Sequence, residues 1–259
     1  MPQPSTFYRP ITDECAIFQY AFAQKLPLCL KGPTGTGKSR FVEAMAERLG
    51  RPLVTVACHD ETSAVDLVGR YLIRGGETQW QDGPVTRAVR AGAILYLDEI
   101  AEARPDVIVV LHPLSDHRRV LYIEQRDEVL AAADGFHLVV SFNPGYQRGL
   151  KELKASTRQR FVSLAFDYPD VDVEVDILVG ETGVDRKVAR RLSLLAQKVR
   201  KLDHLGLAER PSTRLLVDAA KLVQAGLAPR RACQVAIVES LTDDPDVRDG
   251  LNEAVALAF

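Results

Sequence analysis

The sequence predicts an α/β fold, a five-stranded parallel sheet flanked by helices and followed by a small all-helical lid. Three observations predict it. Five short apolar runs have the length of strands: LPLCL (26–30), PLVTVAC (52–58), AILYLDE (93–99), HLVVSFN (137–143) and VSLAFDY (162–168). Helical patterns separate most of them, and strand–helix alternation builds a parallel sheet. After FDYPD the pattern turns to helices alone.

Taken in order, three of the runs carry Val, Leu or Ile at nearly every position, as strands covered on both faces do. KSRFVEAMAERLG (38–50) is the clearest helix and closes on Gly50. RYLIRGGETQWQDGP (about 70–84) reads as a hairpin with a Gly-Gly turn, holding the single tryptophan, Trp80. RRVLYIEQRDEVLAA (about 118–132) reads as a second hairpin turning near Gln125. Beyond the strands, helices are expected over about 185–203, 212–225, 229–241 and 246–258, with Gly226 marking a stop and Pro229 a start. A boundary near Pro169 gives an α/β domain over 1–169, carrying both hairpins as insertions, and a helical lid over 170–259.

Composition narrows the function. With 259 residues, 46% of them hydrophobic, the chain can bury a substantial core. Lys plus Arg number 33 against 35 Asp plus Glu, which leaves no basic footprint for non-specific nucleic-acid binding. Four widely spaced cysteines, Cys15, Cys29, Cys58 and Cys233, form no C-x-x-C pair and fit a reducing cytoplasm rather than a zinc site or disulfide scaffold. MPQPSTFYRP lacks the pattern of a signal peptide, and no apolar run approaches a membrane helix, so a cytoplasmic protein without membrane insertion is expected.

GPTGTGKS, residues Gly32, Pro33, Thr34, Gly35, Thr36, Gly37, Lys38 and Ser39, follows the first strand and opens the first helix. It matches G-x-x-x-x-G-K-[ST] in the context that pattern needs. The glycines let backbone N–H groups turn inward around phosphate oxygens, and the helix N-terminus adds partial positive charge. Lys38 would sit on the β and γ phosphates of ATP, and the Ser39 hydroxyl would ligate Mg²⁺.

The strand ILYLDEI ends in Asp98 and Glu99. Asp98 would hold the Mg²⁺, and Glu99 would orient or deprotonate an attacking water; solvated acids at a strand exit are the plain alternative. Asn143, closing VVSFNPG, can bond both the γ-phosphate and that water, although Asn-Pro also starts turns by itself. All of these gather at the carboxyl edge of the sheet, where ligands of open α/β sheets bind.

KASTRQRF places Arg158 and Arg160 just before the fifth strand, at the sheet's amino edge. A strand of five to six residues spans ~17–20 Å, and an arginine side chain reaches ~7 Å, so these cations cannot easily touch their own subunit's ATP. They can reach a neighbour's if subunits pack head to tail in a ring. Arg160 is the first choice and Arg158 the second, against a surface pair with Glu152 or solvent. In PSTRLL, Arg214 stands in the first turn of a lid helix, where a cation opposes the helix dipole unless an anion is near. ATP phosphate is one candidate, and an i,i+4 pair with Asp218 is the other.

GPTGTGKS, LYLDEI, SFNPG, STRQRF and PSTRLL resemble, in order and spacing, the Walker A, Walker B, sensor 1, arginine-finger and sensor 2 segments of AAA+ ATPases. DLVGRY and QWQDGPVTRAV resemble the MoxR group, and within it the CbbQ/NirQ/NorQ branch. PSTR differs from many relatives outside the branch, which carry Gly and a Ser-Pro before the arginine. The resemblance implies a P-loop AAA+ core and a hexameric ring that hydrolyses ATP with Mg²⁺ to remodel a client metabolic enzyme. It also implies a von Willebrand factor A domain partner (CbbO/NorD-like). Family clients are rubisco, freed of inhibitory sugar phosphates, and nitric oxide or nitrite reductase, helped in metal cofactor insertion; rubisco is the first expectation. The hairpins would face the pore or a face of the ring, with Trp80 or its neighbours touching the client or Trp80 packing into its own hairpin. A nucleic-acid motor and a solitary small-molecule kinase are the competing classes.

Overall fold

In chain order the described residues form nine strands: β1 (Leu28–Lys31), β2 (Leu53–Ala57), β3 (Gly69–Arg74), β4 (Glu77–Asp82), β5 (Ile94–Asp98), β6 (Val120–Ile123), β7 (Glu128–Ala131), β8 (His137–Phe142) and β9 (Val162–Ala165). The computed structural model describes residues 6–144, 153–202 and 207–259. Five strands make one parallel sheet in the order β2-β5-β8-β1-β9, as the apolar runs predict. Every residue of β8 is buried, and all of β5 except the half-buried Asp98, because helices cover both faces. β1 lies between β8 and β9, so the chain reverses its direction of travel across the sheet there, and the loop after β1 opens into the resulting crevice.

The helices of this part are α1 (Glu14–Ala23), α2 (Lys38–Arg48), α3 (Ala64–Val68), α4 (Pro84–Ala91), α5 (Pro105–Leu111) and α6 (Ala155–Arg158). Their ends follow sequence chemistry. Ser63 and Asp66 form a reciprocal capping box on α3. Pro84 opens α4, and Gly92 closes it in the left-handed region. Val85 and Val89 of α4 pack with Leu95, Leu97, Leu138 and Val140 in the core of the sheet.

The chain divides into two compact units, one of residues 12–32 and 38–166 and another of 7–11, 33–37 and 167–259. The second contains α7 (Val171–Thr182), α8 (Arg186–Arg200), α9 (Thr213–Gln224), α10 (Pro229–Cys233), α11 (Glu239–Leu241) and α12 (Pro245–Ala258), with a π-helical stretch, Gln234–Val238, joining α10 to α11. α7 precedes the first lid helix expected from sequence. Its opening VDVEVD alternates apolar and acidic residues as a strand does, but Val175 and Leu178 bury against Leu192, Leu195 and Leu216 on a helical spacing. Residue 203, the expected end of that first lid helix, lies outside the described residues; α8 ends at Arg200.

Both hairpins form. β3 pairs with β4 from Gly69↔Asp82 to Arg74↔Glu77, turning through Gly75 and Gly76 at φ 60° and 86°, the mirror-image turn that matches strand twist. β6 pairs with β7 from Val120↔Ala131 to Ile123↔Glu128. Arg90 of α4 ties them, binding Asp82 at 2.9 Å and Glu128 at 2.7 Å. Trp80 is half-buried and packs into its own hairpin. Its ring stacks edge-on against Tyr71, 5.1 Å away, its Nε1 donates to Asp82 at 2.6 Å, and the Arg126 guanidinium covers it at 5.9 Å. The exposed large hydrophobic side chains here are Ile73 (81% exposed), Val129, Tyr71 and Tyr122.

Candidate nucleotide site

The phosphate loop begins where β1 meets β9. Phe166 N–H donates to Lys31 O at 2.7 Å, and this close approach leaves no room for a side chain on Gly32. A Cβ there would fall 2.1 Å from Phe166 O. Gly35, at φ 72°, adopts a conformation that L side chains avoid. Thr36 Oγ1 donates to Pro33 O at 2.9 Å, closing the loop on itself.

Lys38 opens α2 with its side chain buried, donating from Nζ to Gly32 O at 2.7 Å and to Asn143 Oδ1 at 2.8 Å. Asn143, just beyond β8, donates its Nδ2 to Glu99 Oε1 at 3.4 Å. Glu99 follows β5 in the left-handed region (φ 55°, ψ 44°), a conformation that costs a non-glycine residue of order 1–3 kcal/mol and concentrates at functional sites. Its N–H donates to Ser141 Oγ at 3.0 Å. Ser141 Oγ in turn donates to Asp98 Oδ1, which also accepts from Tyr96 OH at 2.8 Å. Asp98 Oδ2 accepts from Ser39 Oγ at 3.1 Å. The structure therefore brings Lys38, Asn143, Glu99, Asp98 and Ser39 into one hydrogen-bonded chain, linked by two hydroxyls that the motifs did not name, Ser141 and Tyr96. Ser and Tyr inside apolar strands give no signal in sequence beyond strand propensity.

The electrostatics keep neighbouring groups in fixed protonation states. Burial, and then the Asp98 charge, push the Tyr96 hydroxyl above its ordinary value, so it stays a donor. Burial, helped by Asp98 and Glu99, pushes the Cys58 thiol up to about 12, which removes a competing thiolate. Among the described residues no cluster of three or more His, Cys, Asp or Glu could hold a metal ion. Ser39 and Asp98 instead offer a hydroxyl and one carboxylate, the sparse oxygen set that suits a Mg²⁺ sharing its shell with water and phosphates.

The arginines fall elsewhere. β9 runs parallel to β1 with Leu28 opposite Val162 and Lys31 opposite Ala165, so Arg158 and Arg160 lie at the amino end of the sheet while the phosphate loop leaves its carboxyl end. β9 has four residues, fewer than expected, and still spans ~13 Å. Arg158 ends α6 and is exposed. Arg160 Nη1 lies 3.3 Å from Asp116 Oδ2; Glu152, the partner weighed from sequence, lies outside the described residues, as does Gly145 of the SFNPG segment. Asp116 also receives Arg118 at 2.7 Å, and that guanidinium holds its carboxyl well below the usual carboxylate range.

In the second unit, Arg214 is exposed in the first turn of α9, capped by Ser212, whose Oγ accepts from Leu215 N–H. Among the described residues no ion pair joins Arg214 to Asp218. A Cβ built on Gly35 would lie 3.6 Å from Arg214 Cβ, so the arginine stands beside the loop glycine. A buried pair shapes this turn. Arg200 Nη2 lies 2.7 Å from Glu174 Oε1, Arg200 Nε donates to Pro211 O at 2.9 Å, and Thr213 Oγ1 donates to Glu174 at 2.8 Å. The Arg200 guanidinium stacks 4.2 Å from the Tyr168 ring centre. None of these partners was named from sequence.

Residues 27–161 match the family described as AAA domain (dynein-related subfamily), and residues 174–258 match CbbQ/NirQ/NorQ C-terminal. The chain belongs to the CbbQ/NirQ/NorQ family of AAA+ ATPases. It is 57% identical to Protein NorQ of Paracoccus denitrificans over 98% of this chain and 94% of that one. It is 53% identical to the denitrification regulatory protein NirQ of Pseudomonas aeruginosa, over 99% of each chain. Protein CbbQ of Hydrogenophilus thermoluteolus is 51% identical over 98% of this chain and 95% of that one. Among solved structures, RuvB from Thermotoga maritima shares the fold at a TM-score of 0.55 and 14% identity, covering 93% of this chain and 67% of its own. As a CbbQ/NirQ/NorQ protein the chain is a nucleotide-binding ATPase. Among its described residues no helix is long and apolar enough to cross a membrane.

Proposed function

We propose that this ATPase works as a cytoplasmic homo-oligomeric ring, six subunits by family precedent, that spends ATP hydrolysis on remodelling a client enzyme with a von Willebrand factor A domain partner. The observation that carries this reading is the separation of Lys38 and Arg160 to opposite ends of the β1–β9 pair. A pocket whose cation stands at the far edge of its own sheet is completed by the next subunit, in a head-to-tail contact that closes a ring. Lys38, at the start of α2, contacts the β and γ phosphates with the backbone of Gly32–Gly37; Ser39 and Asp98 hold Mg²⁺, which when bound neutralises phosphate charge. Glu99 orients and deprotonates the attacking water, Asn143 bonds that water and the γ-phosphate, and Arg214 reads phosphate from α9. Arg160, with Arg158 beside it, supplies charge to the neighbouring pocket.

The client is a metabolic enzyme. Rubisco, the first expectation from sequence, is supported by the 51% identity to CbbQ. A denitrification reductase is the second reading, favoured by the 57% and 53% identities to NorQ and NirQ. One experiment tests both. The purified ATPase, with a co-expressed von Willebrand-type partner, is added to sugar-phosphate-inhibited rubisco and, separately, to metal-deficient nitric oxide reductase. ATP-dependent recovery of one client assigns it. Turnover per subunit that does not change with protein concentration, or salt-sensitive stimulation by DNA with no recovery of either client, contradicts the proposal.

A further inference from the structure

We propose that Ser141 and Tyr96 are positioning residues for the two acids, holding Asp98 in one carboxylate orientation and Glu99 in its left-handed backbone. The inference rests on reading Asp98 as the metal-side acid and Glu99 as the water-side acid. Its evidence is the pattern of hydroxyls around them.

Ser141 is completely buried in β8, and Tyr96 is 1% exposed in β5. A hydroxyl has one hydrogen to give and lone pairs to receive. Ser141 gives its hydrogen to Asp98 Oδ1 and receives the Glu99 N–H at 3.0 Å. The same Asp98 oxygen takes the Tyr96 hydrogen at 2.8 Å. Two interior donors thus occupy Oδ1, while Oδ2 points toward Ser39. A carboxylate torsion is otherwise broad and two-fold. Here one oxygen is committed to the protein and the other is left for the metal side of the site.

Glu99 gains differently. Its N–H lies just past the last residue of β5, where Ser141 Oγ accepts it, and its φ of 55° turns the chain that follows. Loss of that acceptor strands a donor in a conformation already disfavoured for glutamate. One buried serine therefore couples the orientation of the metal-side acid to the backbone of the water-side acid.

The experiment compares Ser141→Ala and Tyr96→Phe, with Asp98→Asn and Glu99→Gln as reference variants. Three quantities are read: amide hydrogen exchange at Glu99, the Mg²⁺ concentration that half-saturates binding of a fluorescent ATP analogue, and kcat against KM. In Ser141→Ala the Glu99 amide exchanges at least about tenfold faster while Leu95 and Leu97 keep their protection. In both hydroxyl variants the half-saturating Mg²⁺ concentration and kcat worsen by roughly 10–100-fold, the usual effect of losing a hydrogen bond behind a metal ligand. Analogue affinity without Mg²⁺ stays within about twofold, as does KM. Tyr96→Phe keeps the ring and so serves if Ser141→Ala melts early. Wild-type Mg²⁺ response and turnover in both hydroxyl variants, with the two acid variants inactive, overturn this proposal alone. Full turnover in the acid variants overturns the reading beneath it and the proposal together.

Discussion

Leu28 pairs with Val162 in parallel register, and that single alignment sends the phosphate loop and Arg160 to opposite ends of neighbouring strands. Arg160→Ala is therefore expected to bind ATP normally and to lose ~10³–10⁵ in kcat, the range measured for arginines supplied from outside a pocket. Arg158→Ala, two residues earlier at the end of α6, is expected to lose less. Nucleotide binding by fluorescence and steady-state turnover check both; loss of ATP affinity in Arg160→Ala counts against a role in the neighbour's site.

Glu174→Gln is expected to destabilise the helical unit by about 3–5 kcal/mol, because it leaves the Arg200 cation buried without its partner. Replacing both with methionine restores most of that stability yet still weakens ATP binding, since Thr213 and the carbonyl of Pro211 lose what holds the turn before Arg214. Denaturant midpoints and ATP affinity separate the two effects.

His137 gives the fold an acid limit. Its ring is fully buried against Phe18 and Phe22, at 5.1 and 5.5 Å, and neither nitrogen has a partner among the described residues. Burial, and then the Arg119 charge, lower its pKa from 6.5 to about 3. Folded His137 stays neutral where the unfolded residue takes a proton, so its contribution is whole above pH 6.5 and drains as pH falls toward 3. The loss is about 2 kcal/mol by pH 5. His137→Phe flattens this slope; urea midpoints at pH 7 and pH 5 measure it.

Ile73 is the more exposed hairpin residue to test beside Trp80. Trp80 is engaged by Tyr71, Asp82 and Arg126, whereas Ile73 is 81% exposed. Ile73→Asp is expected to leave ATPase turnover unchanged and to reduce client recovery, while Trp80→Ala lowers the melting temperature. Full client recovery by Ile73→Asp removes the β3–β4 tip from the client surface.

The sheet was legible because β5 and β8 are apolar on both faces and alternate with helical patterns; the run alone does not decide, since α5 carries five apolar residues from Val107 to Leu111. α7 was hidden because VDVEVD reads at period two until Val175 and Leu178 find a helical partner face. Lys38, Ser39, Asp98, Glu99 and Asn143 could be named because each occupies a fixed place in a motif. Ser141 and Tyr96 could not, since a hydroxyl in a strand gains meaning only once Asp98 lies against it. The Arg160–Asp116 pair bridges 44 positions, a distance over which local pattern says nothing.

The shared pocket is tested most directly by mixing two inactive proteins, Arg160→Ala and Glu99→Gln, and measuring ATP hydrolysis. Hybrid rings place an intact Glu99 beside an intact Arg160 at some boundaries, so turnover should rise well above either variant alone and peak near equal proportions. If no mixture exceeds its components while native gels show that the two variants have co-assembled, Arg160 does not complete a neighbour's site.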